Sequence, residues 1–291
     1  MKLAKIILGA KNTDLEKLKE IIKLYAVAGA DIFDLSADST IINSVKLLLK
    51  SLNLDKMPKI CASITLLNDV HASKAQIIKE NCSACARCAS VCPQKAISID
   101  NYAHIITARC TGCGSCVNFC SNNAIEMFNL NQTFEEQFEQ AKNVDYIEIH
   151  TNGKDENLFD IFEFLSKNFQ GDIGVCISKN NNPEEKIKII EKIKEIIAPK
   201  KLIVQADGAS ISGFDNKIST TQKAIEECEK FQNIKDIVLI ASGGTNFNTA
   251  ALAKEKSLKI DGIAWGSFAR KLADEEDALS KAKELIDTIK K

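Results

Sequence analysis

Eight cysteines between Cys82 and Cys120 constrain this chain more than any other feature of its sequence. They form two runs, CSACARCASVCP and CTGCGSCVNFC, and both have the spacing C-x2-C-x2-C-x3-C. In each run, three closely spaced thiolates can bind one face of an iron-sulfur cubane, whereas the fourth lies too far along the chain to bind the same cluster. The spacing therefore predicts two [4Fe-4S] clusters with crossed fourth ligands. The predicted ligand sets are Cys82, Cys85, Cys88 and Cys120 for one cluster, and Cys110, Cys113, Cys116 and Cys92 for the other.

The residues between the cysteines favour this interpretation, because small side chains let the backbone curl around a cluster and direct amides at its sulfurs. These small residues are Ala84, Ala86, Gly112, Gly114 and Ser115. A disulfide framework would require an oxidising compartment, and zinc sites use C-x2-C pairs, which explain two four-cysteine runs poorly. The stretch resembles bacterial-type two-cluster ferredoxins, with Ser121 in place of the proline expected after the last cysteine.

Composition limits the classes of function. The net charge of the 291 residues is −1, which argues against nucleic acid or an anionic membrane as the main partner. The N-terminal apolar run stops at Lys11, which is too early for a signal peptide or a membrane span. We therefore expect a cytoplasmic protein without membrane insertion. Three further cysteines, Cys61, Cys176 and Cys228, are expected to be buried reduced thiols.

Outside the cysteine stretch, apolar strand patterns alternate with helical patterns, which predicts a (β/α)8 TIM-like barrel. The expected strands span residues 5–9, 31–36, 59–65, 145–151, 172–178, 201–208, 236–244 and 261–267. The predicted barrel domain is discontinuous, 1–72 and 131–291, and a ferredoxin-like domain, 73–130, is inserted after the third strand. Without these 58 residues 233 remain, close to the roughly 250 of a typical barrel. An open doubly wound sheet is the alternative.

Successive residues of a barrel strand point alternately toward the axis and toward the helices, and in the predicted strands one of these two alternating sets, or parities, is polar and the other aliphatic. Because the helix-covered face must be apolar, the polar set should face the barrel axis. Its members are Asp34, Ser36, Cys61, Ser63, Thr65, Glu148, His150, Cys176, Ser178, Gln205 and Asp207. This set predicts a binding pocket near the C-terminal mouth, with His150 and Glu148 as candidates for proton transfer or ligation. The alternative is an internal hydrogen-bond network that fills the barrel.

Two glycine-containing loops follow the seventh and eighth strands, where barrels of this type commonly bind phosphate. The candidate cofactor-binding residues are Gly243, Gly244 and Thr245 in the first loop, and Gly266 and Ser267 in the second, with Arg270 one turn later. Flavin mononucleotide (FMN) or a phosphorylated substrate would suit such a site. The alternative is that the glycines only form tight turns.

Several blocks of the chain, in order, resemble the light-dependent period protein A family. They are AGADIFDLSAD, the cysteine stretch, VDYIEIHT, QADGASISG, ASGGTN and GIAWGSFARKL. The resemblance implies an iron-sulfur protein that passes the redox state of the cell to regulatory protein partners. Two hypotheses follow: an electron-transfer or redox-sensing protein with a protein partner, or an oxidoreductase whose inserted domain delivers electrons to a flavin or a phosphorylated substrate at the barrel mouth.

Overall fold

The computed structural model describes residues 2–9, 12–66, 73–130, 132–177, 182–209 and 218–291. Eight parallel strands close into a barrel in the order β1-β12-β11-β10-β9-β8-β3-β2. The barrel strands are β1 (Leu3–Ile7), β2 (Ile32–Ser36), β3 (Lys59–Thr65), β8 (Tyr146–Thr151), β9 (Asp172–Ile177), β10 (Leu202–Asp207), β11 (Ile237–Ser242) and β12 (Gly262–Trp265). The predicted (β/α)8 barrel is therefore confirmed, and the open-sheet alternative is wrong because β1 pairs with both β2 and β12.

Helices cover the outside of the barrel. They are α1 (Leu15–Ala28), α2 (Ser39–Ser51), α5 (Phe134–Ala141), α6 (Leu158–Asn168), α7 (Pro183–Ile197), α8 (Ile218–Phe231), α9 (Thr249–Glu255), α10 (Ser267–Leu272) and α11 (Ala278–Lys290). Local sequence explains several helix starts: Asp14 and Asp38 cap α1 and α2, and Thr133 forms a capping box with Glu136 at α5. A short helix, α10, lies between β12 and the last helix, α11.

The main hydrophobic core lies between the strands and these helices. The aliphatic parity of the strands faces outward, with Phe33, Ile147 and Ile263 completely buried. A smaller apolar layer inside the barrel contains Ile32, Tyr146 and other side chains of the opposite parity. The outward face of the strands is therefore apolar, whereas the inward face combines this apolar layer with buried polar side chains such as Asp34 and Glu148.

Residues 73–130 form a separate small unit, which we call the cysteine lobe. Two antiparallel pairs of strands build it, β4 (Ser73–Ile77) with β7 (Ile125–Asn129) and β5 (Ile97–Ile99) with β6 (Ala103–Ile105). It also contains the short helices α3 (Arg87–Ser90) and α4 (Ser115–Asn118) and a 3-10 turn at Lys79–Asn81. The predicted boundaries between the two domains fall on residues 67–72 and 131, outside the described residues, and stay predictions.

The cysteine lobe packs against the C-terminal end of the barrel strands, at the loop between β1 and α1. The Thr13 amide donates to the Ala108 carbonyl at 2.8 Å, and Arg109 Nε donates to Asp14 Oδ2 at 2.6 Å. A Cβ on Gly9, whose φ is +104°, would lie 3.1 Å from Thr111 Cγ2, so glycine permits this close approach. Among the described helices, none is long and apolar enough to cross a membrane.

Candidate metal centre

The cysteine lobe is an internal repeat with an offset of 28 residues, which relates Cys82 to Cys110 and each later cysteine of the first run to its counterpart. The backbone follows the same offset. Ala86 and Gly114, both in the left-handed region with φ of 61° and 70°, directly precede α3 and α4. Lys95 and Asn123, with φ of 49° and 50°, form the equivalent turns after the last cysteine of each run. The two halves therefore present their thiols on equivalent backbones.

The eight predicted ligands line two cavities, four thiols to each. The first cavity is lined by Cys82, Cys85, Cys88 and Cys120, which we call the first cysteine set. The second is lined by Cys92, Cys110, Cys113 and Cys116, the second cysteine set. Each cavity thus takes three thiols from one run and the fourth from the other, the same division that the crossed pattern predicts. Ligation of iron by these residues stays a prediction.

Electrostatic interactions within the second set show how close its thiols lie. Burial, followed by repulsion from the neighbouring thiols Cys113, Cys110 and Cys92, raises the pKa of Cys116 to about 12. Burial also raises the pKa of Cys92, followed by repulsion from Cys113 and Cys110, both on the other run. Four thiolates this close together require cations among them, because like charges in a buried site disfavour ionisation. The donor set therefore fits a thiolate-bound iron-sulfur cluster.

Backbone amides donate hydrogen bonds to sulfurs of both cysteine sets. The Ala96 amide donates to Cys92 Sγ at 3.3 Å, and the Ala124 amide, its counterpart in the repeat, donates to Cys120 Sγ at 3.2 Å. A third amide, from Ala103, donates to Cys82 Sγ at 3.3 Å. Such amide-to-sulfur hydrogen bonds stabilise the negative charge of a thiolate-bound cluster and help to set its reduction potential.

The two cysteine sets differ in their surroundings. The first set includes the exposed Cys85, whose pKa is lowered, chiefly by the backbone amide of Arg87. None of the four thiols of the second set is exposed. Its neighbours in sequence reach the barrel: Arg109 bonds Asp14, and Lys95 Nζ lies 3.2 Å from Asp274 Oδ2. The first set therefore faces solvent, and the second is closer to the barrel.

Inside the barrel, four ionisable side chains form what we call the interior ion cluster: Lys5, Asp34, Glu148 and His150. Lys5 Nζ lies 2.9 Å from Asp34 Oδ2 and 2.8 Å from Glu148 Oε2, and it also donates to Gln205 Oε1 at 2.9 Å. His150 Nε2 lies 3.1 Å from Glu148 Oε1. The predicted polar face is thus inside the barrel, and at this level it forms the internal network that was the alternative to an open pocket.

The pKa values of Lys5, Glu148 and His150 favour the charged forms of these three side chains. Burial alone would lower the pKa of Lys5, but the charges of Asp34, Cys61 and Glu148 outweigh burial and raise it. Burial would raise the pKa of Glu148, but the Lys5 ammonium and then His150 lower it to about 2. The pKa of His150 is raised despite burial, by Cys176 and Glu148. The Lys5 ammonium and the protonated His150 together balance the charges of the Asp34 and Glu148 carboxylates.

Sequence reasoning missed Lys5, although a charged residue in the middle of an apolar strand, at the parity that faces the axis, could have identified it. Asp34, Glu148 and His150 have ligand atoms within 4.8 Å of one another, as a metal site would. The Lys5 ammonium, however, already contacts Asp34 and Glu148 as their cation. Ser178, which the sequence analysis places at the end of the predicted strand 172–178, lies outside the described residues.

The predicted phosphate loops have packing roles in the structure. A Cβ on Gly243 would lie 1.9 Å from Asp207 Oδ1, and one on Gly244 would lie 2.8 Å from the Thr220 backbone oxygen. Thr245 Oγ1 donates to the Ala264 carbonyl at 2.6 Å, which ties the first loop to β12. Gly266 directly precedes α10, which starts at Ser267. A phosphate or FMN site at these five residues stays a prediction.

Comparisons with known proteins give the class of the chain. Residues 82–131 match the LdpA Fe-S cluster-binding domain, and residues 139–288 match the light dependent period A C-terminal domain. A search of curated protein sequences gave no match.

Among solved structures, a truncated 3-deoxy-D-arabino-heptulosonate 7-phosphate synthase from Thermotoga maritima aligns with a TM-score of 0.52 and 11% identity, covering 99% of this chain and 86% of that one. Tryptophan synthase from M. tuberculosis, in a ligand-free form, aligns with a TM-score of 0.50 and 11% identity, covering 100% and 94%. At such low identity these structures support the TIM-barrel fold alone.

The fold and the matched domain define the class: an iron-sulfur protein built on a TIM barrel, with the metal-binding part inserted into the barrel sequence. Within this class, the chain belongs to the light dependent period A family, because the C-terminal family model alone spans more than half of the residues. The family resemblance predicted from the sequence blocks is confirmed.

Proposed function

We propose that the chain carries two [4Fe-4S] clusters and acts as a redox protein, in electron transfer or in redox sensing. One observation supports this most strongly: eight thiols in two sets of four, with crossed fourth members, line two cavities of one lobe. A bound cluster would supply one-electron chemistry. The protein supplies the thiolates and the amide hydrogen bonds that tune them.

The difference between the two sets suggests a direction for electron flow. The first set would exchange electrons with a protein partner, because its ligand Cys85 is exposed. The second set, whose neighbours Lys95 and Arg109 make ion pairs with Asp274 and Asp14 of the barrel, would exchange these electrons with the first set. We expect the partner to be a redox or regulatory protein, as family membership suggests, and the reduced thiols suit the cytoplasm.

An anaerobic cofactor inventory tests this proposal. Protein purified without oxygen should contain about eight iron and about eight sulfide per chain, and reduction should give the electron paramagnetic resonance signals of two clusters. Cys228→Ala is the matched control, because Cys228 is buried in α8, outside the cysteine lobe, and its loss should leave the iron content unchanged. Iron for a single cluster, or zinc in place of iron, would contradict the proposal.

The second candidate is an oxidoreductase in which the lobe reduces a flavin or a phosphorylated substrate at the barrel mouth. The contact between Thr13 and Ala108 favours it, since this contact brings the lobe to the C-terminal end of the barrel, where such enzymes bind substrates. Flavin absorbance in the anaerobic protein, beside the broad iron-sulfur band, would support this candidate. Iron and sulfide without a second cofactor would support the redox protein.

A further inference from the structure

We propose that metal binding by the second cysteine set controls the contact between the lobe and the barrel, so that the barrel responds to the occupancy of the lobe. A bound metal cluster holds the segments beside the second set against α1 and the loop before it, because ligation and local folding are coupled. Loss of the metal releases this contact. The inference rests on the proposed function in one respect, the binding of metal by the cysteine lobe.

The segment just before the second run of cysteines makes two contacts to the barrel. Ala108 and Arg109 directly precede Cys110, a thiol of the second set. The Ala108 carbonyl accepts from the Thr13 amide at 2.8 Å. Arg109 Nε donates to Asp14 Oδ2 at 2.6 Å. Both contacts end at the start of α1.

The segment after Cys92, which also belongs to the second set, reaches the same helix. Lys95 lies in the turn after Cys92, and its Nζ lies 3.2 Å from Asp274 Oδ2, in the turn after α10. The other carboxylate oxygen of Asp274 lies 2.6 Å from Lys17 Nζ of α1. The second set is therefore flanked on both sides by residues that join the lobe to α1.

One backbone turn positions these contacts together with the thiols. The Ile106 carbonyl accepts from the Arg109 amide at 2.9 Å and from the Cys110 amide at 3.2 Å. The Ile106 amide donates to the Ala96 carbonyl at 2.8 Å, and the Ala96 amide donates to Cys92 Sγ at 3.3 Å. A cluster that holds the sulfurs of Cys92 and Cys110 therefore also fixes the backbone that carries Arg109.

The internal repeat provides a comparison within the chain. The offset of 28 residues relates Arg109 to Asn81 and Lys95 to Asn123, which flank the first cysteine set. Both asparagines are exposed, and Asn81 Nδ2 donates to the Asn123 carbonyl at 3.5 Å within the lobe. Charged residues that reach the barrel thus flank the second set, whereas their equivalents beside the first set bond each other.

On the barrel side, the contact continues to the mouth. Asp14 Oδ1 accepts from the Lys17 amide, so the carboxylate that binds Arg109 also caps α1. Asn12 Oδ1 accepts from the Asp14 amide, and the Asn12 carbonyl accepts from Ser36 Oγ at 3.3 Å, at the end of β2. Release of the lobe should therefore loosen the start of α1 and a part of the mouth, the end where barrel enzymes bind their substrates.

Amide hydrogen exchange of the anaerobically purified full chain tests the inference, with mass spectrometry and fragmentation to resolve single residues. The Thr13 amide donates to the lobe, so chelation of the metal should accelerate its exchange by at least about tenfold, the equivalent of roughly one hydrogen bond. The Asp31 amide is the internal control, because it donates to the Ala4 carbonyl near the other end of β1 and should keep its rate.

Asp14→Asn separates the contact from the metal. Asparagine still caps a helix, but the charge that pairs with Arg109 is lost. This variant lies outside the lobe and should retain its iron, while its Thr13 amide exchanges faster in the loaded protein. The matched control is Arg87→Gln, which removes the other arginine of the lobe, 3.4 Å from Ser121 Oγ, and should leave Thr13 exchange unchanged.

Cys92→Ala and Cys120→Ala remove one thiol from each set and show which set controls the contact. Cys92→Ala should accelerate Thr13 exchange as chelation does, and Cys120→Ala should accelerate it less. An equal or larger effect of Cys120→Ala would overturn the assignment to the second set. A chain that binds no iron would overturn the proposed function and this inference with it, whereas bound iron with Thr13 exchange unchanged by chelation would overturn this inference alone.

Discussion

The interior of the barrel and the cysteine lobe both contain clusters of ionisable side chains, but the positive charge near these side chains comes from different sources in the two regions. In the barrel, Lys5 contacts Asp34 and Glu148 directly, so each buried charge has its counter-charge within the chain. In the lobe, the thiols of the two sets accept hydrogen bonds from backbone amides such as those of Ala96 and Ala124, and among the described residues Arg87 adds positive charge near Cys85 and Lys74 near Cys110. Four thiolates in one set need more positive charge than amides and one such side chain offer.

The comparison shows how to distinguish structural polar groups from ligands. A buried ion pair whose partners are all present contributes to the fold and leaves little capacity for a metal. A set of four thiols whose neighbours carry less positive charge than four thiolates need is suited to a metal cluster, which supplies the missing charge. The same reasoning explains why the interior ion cluster, although its spacing resembles a metal site, is the weaker metal candidate.

The largest expected effect is the loss of lobe structure when iron is removed. The lobe has a small apolar core, formed by Ala75, Ala103, Ile125 and two of the thiols, so metal ligation should supply much of its stability. After anaerobic chelation of the full chain, hydrogen exchange should show lost protection in β4 to β7, while β8 to β11 stay protected. If the lobe kept its protection from hydrogen exchange after chelation, its structure would not depend on metal, and the proposed difference between lobe and barrel would be wrong.

The next effect concerns the barrel. Lys5→Met should lower the free energy of unfolding by about 3–5 kcal/mol, because it leaves two buried carboxylates without their cation. Fluorescence of Trp265, the single tryptophan and fully buried, reports unfolding of the barrel in guanidinium. The control is Lys59→Met, which removes an exposed ion pair with Asp172 and should change stability by about 0–1 kcal/mol.

Adding Glu148→Gln to Lys5→Met should restore part of the stability, since one of the uncompensated charges is then removed. If Lys5→Met were no more harmful than Lys59→Met, the interior ion cluster would not be a structural element.

A smaller effect should appear with pH. Because the pKa of Glu148 is lowered to about 2 in the folded chain, its contribution to stability is complete above the unfolded value near 4.5 and is lost as pH falls toward 2. The difference in unfolding free energy between the unmodified chain and Glu148→Gln should therefore shrink by roughly 2 kcal/mol from pH 6 to pH 3. A difference that does not change with pH would mean that Lys5 does not stabilise the Glu148 carboxylate.

Much of the fold follows from sequence pattern, because strand parity and helix caps are local signals. The alternation of polar and aliphatic residues in DIFDLS and DYIEIHT predicted which face of β2 and β8 points inward, and the hydrogen bonds of Asp34 and Glu148 agree. The regular cysteine spacing predicted the grouping of the thiols, since the reach of a few residues decides which sulfurs can meet.

Other features depend on tertiary contacts that a pattern does not encode. Lys5 looks like an ordinary strand residue until the barrel closes and brings Glu148, 143 residues away, to its ammonium. Gly243 and Gly244 suggested a phosphate loop, yet their lack of side chains is explained by the close approach of Asp207 and Thr220. The cavity between α1, α10 and the cysteine lobe is lined by residues from both ends of the chain and from the lobe, so no single segment of the sequence indicates it.

The crossed ligation of two clusters is the central claim, and one pair of variants tests it most directly. Cys92→Ala and Cys120→Ala remove equivalent residues of the repeat, and each should lower the iron content of anaerobic protein by up to about four per chain. Redox-monitored electron paramagnetic resonance should show that Cys92→Ala alters the cluster held by Cys110, Cys113 and Cys116 and preserves the other. If Cys92→Ala instead damaged only the cluster held by Cys82, Cys85 and Cys88, the crossed assignment would be contradicted.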